Sequence, residues 1–266
     1  MIRLLALILM IWASPGVAQT LRLAVTTSFQ NSGLSDVLLP AIAEDTGITV
    51  QLLVVGSGQA LRLGKAGDVD AILVHSRAAE EAFVAAGFGT YRREIMYNDF
   101  VIIGPVSDPA GVAQAETAAD ALVAIAEAGA PFVSRGDDSG TYNKERALWA
   151  ASPVRPEGAW YRPVGAGMGA ALNTASAMDA YILADRASWL NFGNKRDLTL
   201  LFAGDPALFN QYAYIPVSPA QHAFVKHEAA LAVEDWLTSE RAAALINGYQ
   251  IAGEQLFTFN ATSPAE

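Results

Sequence analysis

The chain has no cysteine. This removes disulfide cross-links, thiol catalysis, cysteine-based metal centres and a lipid-anchored cysteine near the start. Basic residues are also short. Seventeen lysines and arginines face 27 aspartates and glutamates, for a formal net charge of -10, so nucleic acid is not an expected partner. Histidine is confined to His75, His222 and His227, which leaves few candidates for base or metal chemistry. Past Ala18 no apolar run reaches the roughly 20 residues that a membrane helix needs. No Gly-Lys-Ser/Thr follows the turn Gly56-Ser57-Gly58, which argues against a P-loop, and Val55-Gly56-Ser57-Gly58-Gln59 is not the Gly-x-Ser-x-Gly of a nucleophile elbow.

What is present is 266 residues, 52% of them hydrophobic and 17% charged, enough for two domains of ordinary size. Met1-Ile2-Arg3, the apolar run Leu4 to Trp12 and the small residues Ala13 to Ala18 read as a secretory signal over residues 1–18, cleaved after Ala18. A free, exported protein is expected, in the periplasm and without a lipid anchor. Loss of Arg3 with the signal makes the mature chain one charge more acidic.

The richest stretch is Ser134-Arg135-Gly136-Asp137-Asp138-Ser139-Gly140-Thr141, between the apolar strand Ala130–Val133 and a helix running from Thr141 to Trp149. That helix is expected to anchor on Leu148 and Trp149 and to expose Lys144, Glu145 and Arg146. The first N–H groups of a helix lack intrahelical acceptors and carry the positive end of its dipole, so this junction suits an oxyanion, with Arg135 adding a planar fork of donors. Simple capping by Asp137, Asp138 or Ser139 is the other reading.

The same strand-to-helix corner recurs. Leu21–Val25 leads to Thr26-Thr27-Ser28, a turn at Asn31-Ser32-Gly33 and a helix from about Leu34 to Glu44 in which Pro40 predicts a kink or break. Ile48–Val55 leads to Gly56-Ser57-Gly58 and a short helix to Lys65. Ala71–Val74 leads to His75 and a helix from Ala78 to Ala86. Asp68 and Asp70 read as turn chemistry rather than metal ligands, and His75 as a packed or capping side chain rather than a catalyst. Open α/β sheets place ligands at such strand ends.

Ile95–Phe100 followed by Val101–Pro105 reads as the crossing out of a first domain. A helix is expected from Thr117 to Glu127. Val164 to Gly169 opens another, Ala170 to Ala177, where glycines permit close approach by a ligand or a neighbouring segment. Tyr181–Ala184, with Asp185 capping a short helix, Leu198–Phe202 and Gln211–Val217 complete the strands. Two crossings imply lobe I at 19–102 and 204–266, lobe II at 103–203, and a hinge between them. His222 to Leu237 is expected as a helix with Phe224, Val225, Leu231, Val233, Trp236 and Leu237 inward, then a helix to about Asn247 and a loose tail after Phe259.

Taken together, Thr26-Thr27-Ser28, Val55 to Leu61, Asp68 to His75, Met96 to Val101, Ser134 to Thr141 and Gly167-Met168-Gly169 resemble, in order and spacing, the tungstate-binding proteins of ABC transporters, the TupA family. The resemblance implies an α/β, two-lobed type II periplasmic binding protein fold that closes on one tungstate and delivers it to a membrane permease and its ATPase. No cofactor is implied, and a monomer suits delivery. The site carried over is Thr27 and Ser28, with Thr26 beside them, Ser57, Arg135, the helix start Ser139-Gly140-Thr141, and the backbone N–H near Met168. The threonine run is shorter here than is common in the family, and Ser57 stands where threonine is common; both changes keep a hydroxyl.

Chemistry points independently to the same ligand class. Tungstate and molybdate carry no proton near neutral pH, so their site offers donors only, whereas a protonated phosphate welcomes one carboxylate. Asp137 and Asp138 are therefore expected to cap the helix or brace Arg135. Molybdate, sulfate and phosphate remain alternative ligands, and a serine-dependent hydrolase is the alternative of a different class.

Overall fold

The computed structural model describes residues 19–262; the expected signal segment, 1–18, lies outside them. Among the described residues no helix is long and apolar enough to cross a membrane. The chain opens as β1 (Gln19–Thr26), α1 (Thr27–Ser32), α2 (Ser35–Thr46), β2 (Ile48–Val55), α3 (Ser57–Ala66), β3 (Ala71–Val74) and α4 (Arg77–Ala85), with β1 parallel to both β2 and β3. Alternation along β1 sends Leu21, Leu23 and Val25 into one apolar cluster and Ala24 into another on the opposite face, so this part of the sheet is covered on both sides.

β4 (Arg93–Pro105) then runs through both parts of the molecule. After it come α5 (Ala118–Glu127), β5 (Phe132–Ser134), α6 (Gly140–Ala151), β6 (Tyr161–Pro163), α7 (Met168–Met178), β7 (Tyr181–Asp185), α8 (Arg186–Asn191) and β8 (Leu198–Phe202). The chain ends with β9 (Phe209–Pro216), α9 (His227–Leu237), α10 (Glu240–Gly248), β10 (Gln250–Ile251), β11 (Glu254–Gln255) and β12 (Thr258–Phe259). The main strand order is β2-β1-β3-β9-β4-β7-β5-β6. The first half of β4 pairs antiparallel with β9, from Arg93 opposite Tyr214 to Asp99 opposite Phe209, and its second half pairs with β7 and β8. Here too period-2 alternation serves two faces: Phe100 and Ile102 enter one cluster, Val101 and Ile103 another.

Four expectations about the elements need correction. Pro40 does not break α2; it and Asp36, four residues earlier, are both exposed, so the carbonyl left unbonded by the proline ring lies on the wet side of the helix. The residues expected as a turn after Thr26 form α1 instead, because Thr26 accepts from Phe29 N and starts a helix at once. The helix expected from His222 begins at His227, after a turn held by His222 N to Ser218 O, and Phe224 is 67% exposed rather than inward. The tail is tied down at Asn260, which exchanges side-chain hydrogen bonds with Gln211, and at Thr262, whose carbonyl accepts from Arg93 Nη1 at 3.2 Å.

Candidate functional site

Strands β1, β2 and β3 run parallel, as do β5, β6 and β7, and the helix starts that follow β1, β2, β5, β6 and β7 line a single cavity of about 560 Å³. This is the crevice at strand carboxyl ends where open α/β sheets hold ligands. The structure brings together every residue of the expected site: Thr27, Ser28, Ser57, Arg135, Ser139, Gly140, Thr141 and Met168, with Thr26 beside them, all line it.

The corners are not equivalent. Thr26 caps α1, Ser139 caps α6 by accepting from Tyr142 N at 3.1 Å, and Asp185 caps α8 by accepting from Ser188 N at 2.9 Å. By contrast, α3 starts on Gly56 and α7 on Gly167, and neither has a side-chain cap. At those two starts the first N–H groups remain available to an external acceptor.

Two side-chain donors at the cavity are equally uncommitted. Ser57 Oγ and Arg135 Nε are buried and have no hydrogen-bond partner among the described residues. A buried donor left unpaired is costly, so each fits a site whose acceptor is a ligand.

Asp137 braces the site from outside. One of its oxygens takes Arg135 Nη2 and the other takes Ser139 Oγ at 2.6 Å and Ser139 N at 3.2 Å. Burial works to raise the Asp137 carboxyl, but the hydrogen bonds from Ser139 and Arg135 and the guanidinium charge outweigh it and hold the group below its ordinary value. Asp138 is exposed, and neither aspartate lines the cavity.

Sequence reasoning missed Asn31, His75, Asp185, Ser188, Asn191, Leu172 and Phe192, all of which line the same cavity. His75 and Asp185 had a signal, since each stands at a strand's carboxyl end. The structure does pack His75, as expected, against Tyr212 with ring centroids 4.8 Å apart, but it also brings Nε2 to 3.1 Å from Ser28 Oγ. Burial, with help from the charge of Lys144, lowers His75 to about 4 against a backbone hydrogen bond, so the ring is neutral near pH 7. Asp185 is raised above its ordinary value by burial, against the hydrogen bonds from Ser188. Among the described residues no group of three or more acidic or histidine side chains could hold a metal ion. Asp70 instead accepts from Arg22 N in β1 and from Lys226 N just before α9, so it ties distant segments together rather than shaping the local turn that was expected.

Fold and cleft define a type II periplasmic binding protein, and residues 13–241 match the model of the PBP superfamily domain. The tungstate-binding protein TupA of Peptoclostridium acidaminophilum is 47% identical over 243 residues, covering 90% of this chain and 85% of that one. Among solved structures, the tungstate-binding TupA of Desulfovibrio alaskensis G20 shares 44% identity with a TM-score of 0.87, covering 92% of this chain and 100% of the other. A tungstate ABC transporter structure from Geobacter sulfurreducens shares 46% identity with a TM-score of 0.79, covering 86% of this chain and 98% of the other. The chain belongs to the TupA family.

Proposed function

We propose that this chain is the substrate-binding component of an ABC importer, which captures tungstate in the periplasm and hands it to a membrane permease and its ATPase. The observation that carries the reading is the convergence of unused donors on one cavity: Ser57 Oγ, Arg135 Nε and the two uncapped helix starts at Gly56 and Gly167. A fully deprotonated tetrahedral dianion needs donors on every face and one compensating charge, and Arg135 is the cation lining the cavity.

The cavity exceeds what a five-atom anion fills, so binding involves closure. Lobe I, 19–102 with 204–266, and lobe II, 103–203, rotate about the two segments that join them, near Phe100 in β4 and between β8 and β9. The ligand bridges donors from both lobes and selects the closed form. The protein works as a monomer.

Phosphate is the second reading, and one observation favours it: Asp185 supplies a carboxyl to the cavity wall, which is the acceptor that a protonated oxyanion uses. Molybdate competes within the first reading because its size and charge are nearly those of tungstate. Catalysis is not part of the function. Ser28 has a histidine neighbour, but a ring protonated only below about 4 is a weak base, and the Ser28 hydroxyl is shared with Thr26 and Tyr212.

Arg135 tests the assignment. Arg135→Ala removes the compensating charge and is expected to weaken tungstate binding by at least about 100-fold, with a smaller loss for Arg135→Lys, which keeps the charge but not the fork. Unchanged affinity of Arg135→Ala in a calorimetric titration would sink it.

A further inference from the structure

The ring of His75 is held between residues from opposite sides of the cavity. Its Nε2 lies 3.1 Å from Ser28 Oγ, which itself meets Thr26 Oγ1 at 2.9 Å and Tyr212 OH at 3.1 Å. On its other side the ring rests on Gly140, the first residue of α6: a Cβ placed there would stand 2.5 Å from His75 Cε1 and 3.1 Å from Nδ1. Real Cβ atoms do not approach so closely, and the obstacle is a ring already fixed against Tyr212.

Backbone conformation does not require the glycine at 140. Its φ is not positive, so the backbone conformation is open to any residue at this first position of α6. What it supplies is the space that the imidazole occupies. Because Ser28 follows β1 and Gly140 follows β5, this one ring joins the two sets of donors that line the cavity.

We propose that His75 is a positioning residue of the site, seated by the missing side chain at Gly140, so that it fixes the Ser28 hydroxyl and registers the α6 start, Ser139 to Thr141, against the β1 corner. The proposal rests on the oxyanion-binding reading and gives His75 an effect on affinity that does not require it to touch the anion, with Gly140 supplying the space that seats it. A neutral ring suits the place, since a cation would be repelled by the positive end of α6.

The test is a double-mutant cycle on the full mature chain, with tungstate as the probe. Gly140→Ala is expected to weaken tungstate binding by about tenfold or more while His75 is present. In the His75→Ala background, where the space is vacated, the same substitution is expected to change affinity by less than about threefold. His75→Gln, which keeps a hydrogen-bonding group for Ser28, is expected to retain more affinity than His75→Ala.

Equal penalties for Gly140→Ala in both backgrounds would overturn the proposal while leaving the oxyanion reading intact. Should the unsubstituted protein bind no oxyanion, that reading falls. The cycle is then read in ligand-free thermal unfolding, where a penalty for Gly140→Ala that disappears with His75→Ala supports the contact and additivity overturns it.

Discussion

Glu145 shows how one residue can be placed correctly by periodicity and misjudged by its charge. It shares a helical stripe with Thr141, Leu148 and Trp149, all buried, yet as one of three consecutive charged or polar positions it read as exposed. The structure buries it to 1% exposure, where Tyr161 OH donates to it at 2.7 Å and lies 3.0 Å from Ser134 Oγ. Burial raises its carboxyl to about 7, more than the hydrogen bonds from Tyr161 and Ser134 lower it. His75 is shifted by burial in the opposite sense. From the ordinary 4.5 up to about 7 the folded state keeps the Glu145 proton that the unfolded chain has released, so this contribution to stability falls as pH rises. From the ordinary 6.5 down to about 4 the unfolded chain takes up a proton that folded His75 refuses, so that contribution falls as pH drops. In denaturant unfolding, Glu145→Gln should therefore gain on the unsubstituted protein as pH rises from about 5 to about 8, by on the order of 3 kcal/mol. His75→Gln should gain as pH falls from about 7 to about 4.5. A difference curve flat in pH would contradict the burial assigned to that residue.

The elements carry the site through their first residues. α6 begins on a serine cap and α3 and α7 begin on bare glycine, and that contrast decides which helix N–H groups are free. At Gly167 the backbone, φ -62 and ψ 162, matches that of the Ser139 cap, φ -76 and ψ 160, and among the described residues a Cβ there meets nothing within 4 Å. Gly167→Ser should therefore cap α7 with its own hydroxyl, raising stability by a few tenths of a kcal/mol while weakening tungstate binding by about tenfold. Thermal unfolding and calorimetry check the two halves, and a variant that binds as tightly as the parent would show that the α7 start does not serve the ligand. Strands such as β2, β3 and β8 were legible to the residue, because apolar, β-branched runs ended at glycine or aspartate signals. The start of α9 was not, since Phe224 and Val225 imitate a helical apolar stripe although Phe224 packs against His222 in a turn, ring centroids 5.7 Å apart and the planes tilted by 55°.

At the scale of the molecule, the repeated strand-to-helix corners made the α/β class and the cleft residues readable, since each corner is a local pattern. The pairing was not readable. Ile72 opposite Ile215 is a contact across most of the chain, and the antiparallel insertion of β9 between β3 and β4 leaves no mark in either strand's own sequence. The same holds for Asp185, whose cap was evident while its place in the cavity wall depended on β7 lying beside β4. Global charge makes a further prediction. With a net charge of -10 the protein repels a divalent anion at long range, while the local donors act only inside the cleft. The association rate for tungstate, read by tryptophan fluorescence in stopped flow, should rise a few-fold as ionic strength increases from about 10 to about 200 mM, because salt screens the repulsion. A fall would indicate attractive steering and contradict this account.

The central claim, a cleft whose uncommitted donors converge on a deprotonated tetrahedral dianion, is tested most directly by isothermal titration of the mature protein with tungstate, and separately with molybdate, sulfate and phosphate. The expected result is saturable 1:1 binding of tungstate, with sulfate and phosphate weaker by at least about 100-fold. No heat with tungstate, or tighter binding of phosphate, would contradict it, and the latter would make Asp185 an acceptor for a protonated ligand.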